Sequence, residues 1–207
     1  MKIKIHCTFW LLSFVFLFSG LHWELVLFLL IILLHELGHI IMCLLYKQKV
    51  KKLNITAFGG LLEAEINNLS FGKELSVYLA GIAVNCLLLF IGRYLSNAYY
   101  QTLIINYNLI VIVFNLLPIH PLDGYRVVEL LLGKIINQPF REQKILLLLS
   151  SAALFVFSYF LFKIKSIAFL VLFVYLFYRN IVYHSQNRQI ALKKYVSRYK
   201  KIKTKSI

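Results

Sequence analysis

Acidic residues are scarce in this sequence. Only 8 of its 207 residues are Asp or Glu, against 23 Lys or Arg, and charged residues of both signs make up 15% of the chain. Hydrophobic residues make up 60%, which is well above their share in a typical soluble domain. The composition therefore excludes an ordinary soluble fold. It predicts a chain that consists almost entirely of membrane spans and short connections.

Cysteine is also rare, with Cys7, Cys43 and Cys86 scattered along the chain. These residues form no Cys-x-x-Cys pair, so the sequence suggests no disulfide framework. Cys43 follows His39 by four residues and would share its helix face. This spacing leaves a metal role open, but a small thiol in helix packing is the simpler interpretation.

Long apolar runs account for most of the chain. A transmembrane helix needs about 20 apolar residues, and six runs approach that length: residues 5–21, 25–46, 75–95, 102–117, 145–162 and 167–183. We therefore predict an all-α membrane protein of about six transmembrane helices, which form one domain at residues 1–184. Residues 185–207 contain eight Lys or Arg and no acid. They are predicted to be a basic cytoplasmic tail whose helix lies on the membrane surface.

The net charge of +15 would also suit a nucleic-acid-binding protein, but its distribution argues against that function. With six spans and both termini in the cytoplasm, only Arg93, Lys163 and Lys165 fall in outer loops, and the other 20 of the 23 Lys and Arg lie on the inner side. This asymmetry follows the positive-inside rule, which fixes the topology of a multi-pass protein. We therefore expect contact with anionic lipid and no nucleic-acid partner.

The apolar run at residues 25–46 carries His35-Glu36-Leu37-Gly38-His39 near its middle. Residues four apart share one helix face, so both imidazoles can bind one metal ion, and Glu36 beside them can act as a general base on a water molecule. His-Glu-x-x-His on a helix is the zinc metallopeptidase pattern. The alternative is a pair of buried histidines that bind backbone carbonyls. Ionisable groups inside a span are costly and usually functional, which favours the metal site.

A second informative stretch, residues 115–124, reads Asn-Leu-Leu-Pro-Ile-His-Pro-Leu-Asp-Gly. Its two prolines stop the helix and hold Asp123, the only Asp in the chain, on a rigid turn. Two histidines, one carboxylate and a water molecule make a common catalytic zinc site, so Asp123 is the predicted third ligand. Taken alone, Asp123 would be interpreted as a helix cap or turn former. His120 is a rival ligand or a neighbour of the ligands.

The inner loop at residues 47–73 contains Phe58-Gly59-Gly60 between apolar flanks. Gly-Gly predicts a two-residue hairpin turn, and the alternation of apolar and acidic residues that follows predicts a strand. A small β-hairpin near the active site would pair with an extended substrate by strand addition. Phe58, Gly59 and Gly60 are therefore candidate substrate-binding residues, and a plain surface loop is the alternative.

The two motifs together resemble those of the site-2 protease family of intramembrane zinc metalloproteases: His-Glu-Leu-Gly-His in one span and Asn-x-x-Pro-x-x-Pro-Leu-Asp-Gly after a later one. The resemblance covers residues 25–126 and the six-span layout, and the Phe-Gly-Gly loop is most similar to the sporulation members of the family. It implies one zinc ion per chain. His35, His39 and Asp123 are then the ligands, and Glu36 is the catalytic base.

Asn85 lies among small residues in the third apolar run. From the residues alone it either forms a hydrogen bond between helices or faces the site as a donor. It resembles the asparagine of the family's Gly-Pro-x-x-Asn motif, which is thought to face the substrate, although Ile82 stands here in place of the proline. Many sporulation members continue into a cystathionine-β-synthase-like regulatory domain, which we do not expect here.

The resemblance implies an intramembrane zinc metalloprotease of a bacterial cell membrane. The expected substrate is a membrane-associated protein, such as a sporulation pro-sigma factor, held with inhibitory membrane-protein partners, and the sequence leaves a homo-oligomer open. Two alternatives are a transition-metal transporter that uses the same His and Glu, and a catalytically inactive membrane scaffold. The apolar first, fifth and sixth spans argue against the transporter, and the complete set of ligands and base argues against the scaffold.

Overall fold

The computed structural model describes residues 2–5, 14, 20, 22–48, 50–56, 59–64, 69–164 and 167–203. The chain divides into two compact units, Met1–Leu116 and Leu117–Ile207. Most of the predicted first span, residues 5–21, lies outside the described residues, and so does Phe58.

The described part of the first unit contains helices α1 (His22–Leu45), α2 (Phe71–Gly92) and α3 (Ala98–Asn115). α1 packs against α2 and α3, and α2 packs against α3. At the start of α3 the side-chain oxygen of Asn97 accepts hydrogen bonds from two backbone N–H groups of the first turn. This N-cap satisfies donors that have no partner within the helix, so α3 begins where the sequence places a short polar residue.

Glycine lets α1 and α2 approach each other closely. A Cβ atom on Gly38 of α1 would lie 2.8 Å from the carbonyl oxygen of Ala80 and 2.8 Å from Cγ2 of Val84, both on α2. These distances are shorter than carbon atoms tolerate, so any side chain at position 38 would push the helices apart. Small residues allow such close packing between membrane helices, and here they hold the histidine-bearing helix directly against α2.

A three-stranded sheet belongs to the same unit, in the order β1 (Lys2–Ile5), β2 (Val50–Thr56) and β3 (Gly59–Ala64). β1 and β2 are parallel, whereas β2 and β3 are antiparallel, with Thr56 opposite Gly59 across a two-residue connection. β3 also packs against α1. The sheet therefore lies beside the helix that carries the histidines.

Strand β1 is an element that the sequence analysis does not predict. Its four residues alternate lysine and isoleucine, and such a short segment carries too little periodicity to be distinguished from the flank of a membrane span. It is a strand because β2 pairs with it along its length. A partner that lies some 50 residues away in the chain decides the structure of this segment.

The second unit contains α4 (Asp123–Ile135), α5 (Pro139–Ile164), α6 (Ile167–Ser185) and α7 (Asn187–Lys203) among its described residues. α5 packs against each of the other three helices. It begins at a proline, which suits the first turn of a helix because the missing N–H has no partner there. α7 covers most of the predicted basic tail, and the division of the chain at residue 184 stays a prediction.

Within the described residues, α1, α2 and the Pro139–Phe160 part of α5 are long and apolar enough to cross a membrane. This finding rests on length and composition alone. The helical character expected from the apolar runs is present in all three segments. The count of six spans and the positions of the termini stay predictions.

A partly buried charge cluster joins the helices of the second unit. Lys194 Nζ of α7 lies 2.7 Å from Glu129 Oε1 of α4 and 2.5 Å from Glu142 Oε1 of α5. The Tyr183 hydroxyl of α6 donates a hydrogen bond to the same Glu129 oxygen at 3.2 Å. The side chain of Glu142 is only 1% exposed, so the lysine compensates a charge that is almost completely removed from water.

We expect Lys194→Met to destabilise the protein, because it leaves the buried Glu142 carboxylate without its lysine. Loss of one partner of a buried ion pair costs about 3 kcal/mol, which corresponds to a fall in Tm of about 6–12 °C for a chain of this size. Thermal unfolding in detergent measures the effect. The control is Lys193→Met, at an exposed lysine of the same helix, which should change stability by no more than about 0.5 kcal/mol. Equal Tm values for the two variants would contradict the role assigned to Lys194.

Candidate metal centre

His35 and His39 lie one turn apart on α1 and face α2. Their side chains are buried, with exposed fractions of 2% and 6%. The ring centroids are 4.9 Å apart at an interplanar angle of 75°, and the two Nε2 atoms are 3.2 Å apart. The i, i+4 spacing therefore brings one nitrogen of each ring to a common point.

The Nδ1 atom of each ring contacts an oxygen atom of α2. His39 Nδ1 lies 2.7 Å from the carbonyl oxygen of Val77, and His35 Nδ1 lies 2.6 Å from Oδ1 of Asn85. Because both oxygens can only accept hydrogen bonds, both Nδ1 atoms carry the proton of the neutral ring. Each Nε2 therefore carries a lone pair, and this tautomer binds a metal through Nε2.

The separation of the two Nε2 atoms fits a metal site. Two neutral rings in this tautomer cannot hydrogen-bond to each other through Nε2, because neither atom carries a proton. A cation near both atoms satisfies both lone pairs. The observed 3.2 Å is close to the roughly 3.3 Å between two nitrogens that bind zinc tetrahedrally at about 2.0–2.1 Å. The donor pair therefore matches zinc in chemistry and in spacing.

Gly81 of α2 keeps the space next to these nitrogens open. A Cβ atom at this position would lie 2.5 Å from His35 Nε2 and would also contact His39 Nε2. A side chain at this position would therefore compete with a metal ion for the space beside both nitrogens. From the sequence, Gly81 is only one of several small residues suited to helix packing, and its contact with the two histidines comes from the structure.

Two further predicted residues, Glu36 and Asp123, lie in different units. Glu36 follows His35 on α1 and is only 6% exposed. Asp123 is the first residue of α4 in the second unit. The positive end of the helix dipole favours a carboxylate at that position. The assignment of Asp123 as a zinc ligand and of Glu36 as the base stays a prediction.

The predicted substrate-binding residues lie in two different elements, strand β3 and helix α2. Gly59 and Gly60 begin β3 and pair with Thr56 and Ile55 of β2, so the prediction that Gly-Gly forms the two-residue turn is wrong. Phe58 lies outside the described residues. Asn85 is completely buried. It contacts His35 and also donates a hydrogen bond of 2.8 Å to Oδ1 of Asn108 on α3. A contact between Asn85 and substrate stays a prediction.

Comparison with known proteins assigns the chain to a family. Residues 93–158 match the model of peptidase family M50. Over 148 residues the chain is 32% identical to Stage IV sporulation protein FB from Bacillus subtilis (strain 168), an alignment that covers 69% of this chain and 51% of that protein. These two matches support an assignment of the chain to the site-2 protease family. It spans about half the length of this curated relative.

The fold is similar to that of the Site-2 Protease from Methanocaldococcus jannaschii. The TM-score is 0.68 at 22% sequence identity, and the match covers 91% of this chain and 90% of that chain. The family resemblance expected from the two motifs is therefore confirmed. The match to a metalloprotease family implies a metal, and the three apolar helices together with the similarity to membrane proteases point to a membrane protein.

His120 lies in an aromatic cluster of the second unit. Its ring stacks on Tyr183 with centroids 4.0 Å apart and packs edge-on against Tyr125 at 5.5 Å. Burial, followed by the positive charges of Arg126 and Arg179, lowers the pKa of His120 to about 3. The imidazole is therefore neutral at physiological pH, and these contacts give His120 a packing role that the sequence did not predict.

Gly81→Ala should abolish metal binding, because the added methyl group would occupy the space beside both Nε2 atoms. Zinc content of the detergent-purified variant, measured by elemental analysis, should fall from about one per chain to near zero. Gly72→Ala, in the first turn of the same helix, is the matched control, since a Cβ there meets no atom within 4 Å. Full zinc occupancy in Gly81→Ala would show that the metal does not bind at this point.

His120 should make the protein sensitive to acid. Its folded-state pKa is about 3 and its ordinary value is 6.5, so between these values the unfolded chain binds more protons than the folded one. This contribution to stability is complete above about pH 6.5 and is lost as the pH falls towards 3. His120→Phe removes the titrating group, so its Tm should fall less than the wild-type Tm between about pH 7 and about pH 4. An equal fall in Tm for His120→Phe and the wild type over this pH range would contradict the role assigned to His120.

Proposed function

We propose that this chain is an intramembrane zinc metalloprotease, which hydrolyses a peptide bond in or near the membrane segment of a membrane-associated protein. The observation that carries the proposal is the convergence of His35 Nε2 and His39 Nε2 to 3.2 Å within an apolar helix. A buried glutamate, Glu36, adjoins this pair in the sequence. Membership of the site-2 protease family supports the same chemistry.

One zinc ion per chain is the proposed cofactor. His35 and His39 would supply two nitrogen ligands, and Asp123 would supply a carboxylate oxygen, which is a common ligand set in catalytic zinc sites. The turn between Pro118 and Gly124 restricts the backbone at Asp123, as a ligand position requires. When bound, zinc would polarise the peptide carbonyl group and increase the acidity of water.

Glu36 would move the protons of the reaction. In the first step its carboxylate takes a proton from the attacking water, whose oxygen bonds to the carbonyl carbon of the substrate. In the second step the same proton passes to the leaving nitrogen as the peptide C–N bond breaks. Glu36 follows His35 on α1, so the base would lie beside the helix face that carries the two histidines.

A helical substrate must unwind before it is cut, because its carbonyl groups are hydrogen-bonded within the helix. We propose that β3, an edge strand of the described sheet, holds the unwound segment by strand addition, with Phe58, Gly59 and Gly60 near the contact. This proposal is supported by the packing of β3 against α1, which brings the sheet close to the histidine-bearing helix. Substrates should therefore contain residues of weak helix propensity near the cleavage site.

The proposed substrate is a membrane-associated regulator such as a sporulation pro-sigma factor, held with inhibitory membrane-protein partners. The identity of 32% with a sporulation protein supports this choice. The proposed location is the bacterial cell membrane with both termini in the cytoplasm. The concentration of Lys and Arg in the predicted inner segments supports this orientation.

Zinc content and cleavage together test the function. Detergent-purified wild-type protein should contain about one zinc per chain, Asp123→Ala should lose it, and Glu36→Gln should retain it. Glu36→Gln should nevertheless lose at least about 10³-fold in cleavage of a co-reconstituted membrane-protein substrate, because the amide cannot accept the proton. Cleavage is measured by the appearance of the shorter product on a gel.

Three results would contradict parts of this assignment. Normal turnover by Glu36→Gln would remove Glu36 as the base. Zinc retained by Asp123→Ala would assign the third ligand to another residue, and absence of zinc from the wild type would remove the metalloprotease function itself. Uptake of zinc into proteoliposomes by the wild type would instead support a transporter.

A further inference from the structure

Asn108 is a buried polar residue of α3 that the proposed reaction does not use. It has no exposed surface, and the same is true of its partner Asn85 on α2. Burial of a side-chain amide in an apolar environment is costly unless its donors and acceptors are hydrogen-bonded. Hydrogen bonds connect these two amides in series, from Asn108 to Asn85 and from Asn85 to His35.

The bond between Asn108 and the backbone determines which group donates and which accepts in the rest of this series. Asn108 Nδ2 donates to the backbone carbonyl of Ile104, one turn earlier on α3, at 2.8 Å. Because a carbonyl oxygen only accepts, the amino group of Asn108 must face it. The oxygen of Asn108 then faces Asn85 and accepts a hydrogen bond of 2.8 Å from Asn85 Nδ2.

This contact leaves Asn85 only one orientation. Its amino group is directed to Asn108, so its oxygen is directed to His35 and accepts the Nδ1 proton at 2.6 Å. A flipped Asn85 would present its amino group to His35 instead, and Nδ1 would then have to accept. The ring proton would move to Nε2, and the ring would lose the lone pair that a metal needs.

The tautomer of His39 does not depend on a series of side-chain hydrogen bonds. Its Nδ1 donates to the backbone carbonyl of Val77, and a carbonyl group in a helix cannot exchange its oxygen for a donor. The two histidines therefore differ: the tautomer of His39 is set by the backbone of α2, and that of His35 by two side chains.

We propose that Asn108 is a positioning residue that fixes the tautomer of His35 through Asn85. It keeps His35 Nε2 unprotonated and thereby ready to bind the metal of the proposed function, on which this inference partly rests. Asn108 would touch neither metal nor substrate. Asn108 on α3 would act on His35 of α1 through the side-chain amide of Asn85 on α2.

Nitrogen NMR of histidine-labelled, metal-free protein tests the proposal at a pH where the imidazoles are neutral. In the wild type both rings should carry the proton on Nδ1. In Asn108→Leu, which has a similar shape but no polar atoms, His35 should become a mixture of both tautomers, while His39 stays in the Nδ1–H form. His39 thus serves as an internal control for a general loss of structure. If leucine does not fit at this position, Asn108→Ala can be used instead, and the same mixture of His35 tautomers is expected.

The affinity for zinc provides an independent measurement. Asn108→Leu should weaken zinc binding by about 10- to 100-fold, the usual effect of losing a hydrogen-bond partner behind a ligand. Asn108→Asp should restore both the tautomer and the affinity. A carboxyl group buried in an apolar site stays protonated, so it can donate to Ile104 and accept from Asn85 as the amide does.

Two further variants separate this role from simple packing. Thr102→Val removes another side-chain bond from α3 to a carbonyl one turn earlier, but at an exposed position, and should change neither measurement. If Asn108 acts only through Asn85, adding Asn108→Leu to Asn85→Leu should cause no further loss of zinc affinity.

The proposal would be overturned if the His35 tautomer were unchanged in Asn108→Leu, or if His35 and His39 changed equally. It would also be overturned if the losses of zinc affinity in the double variant were additive. Absence of zinc binding in the wild type would overturn the proposed function alone. In that case the tautomer measurement would still decide the role of Asn108.

Discussion

A buried imidazole must place its ring N–H on an acceptor, and this requirement organises the first unit. His35 and His39 are buried in an apolar helix, and both find their acceptors on α2. The helices must approach closely for these bonds to form, which explains why a glycine, Gly38, lies at their contact. The pairing of α1 with α2 is therefore both a packing contact and the means by which two ring nitrogens acquire the same tautomer.

The second unit meets a similar constraint with charges. Glu142 is almost completely buried, and Lys194 of the basic C-terminal helix compensates its charge while also binding Glu129. A helix that composition alone assigns to the membrane surface thus contributes a side chain to the interior of this unit. The aromatic rings around His120 complete that interior. They provide an apolar site in which a histidine remains neutral.

Much of the proposed centre was predictable because its chemistry is local in the sequence. The i, i+4 spacing of His35 and His39 places both rings on one helix face in any α-helix, and an apolar run of this length has few other stable structures. The roles of Gly81 and Asn108 were not predictable, because each acts on a residue of another helix. Asn108 could have been noticed as a polar residue within an apolar run, but nothing in the sequence indicates that its partner is Asn85.

The sequence by itself determined most of the described helical segments, the two motifs and the family resemblance, because helix periodicity, hydropathy and motif spacing are properties of neighbouring residues. Only the tertiary structure decided which oxygens receive the ring protons, which glycine keeps the space beside the nitrogens open, and that Lys2–Ile5 is a strand. These features depend on contacts between segments some 40 to 50 residues apart. Hydrogen bonds and steric exclusion act at distances of about 3 Å, and only the packing of helices and strands brings such segments that close.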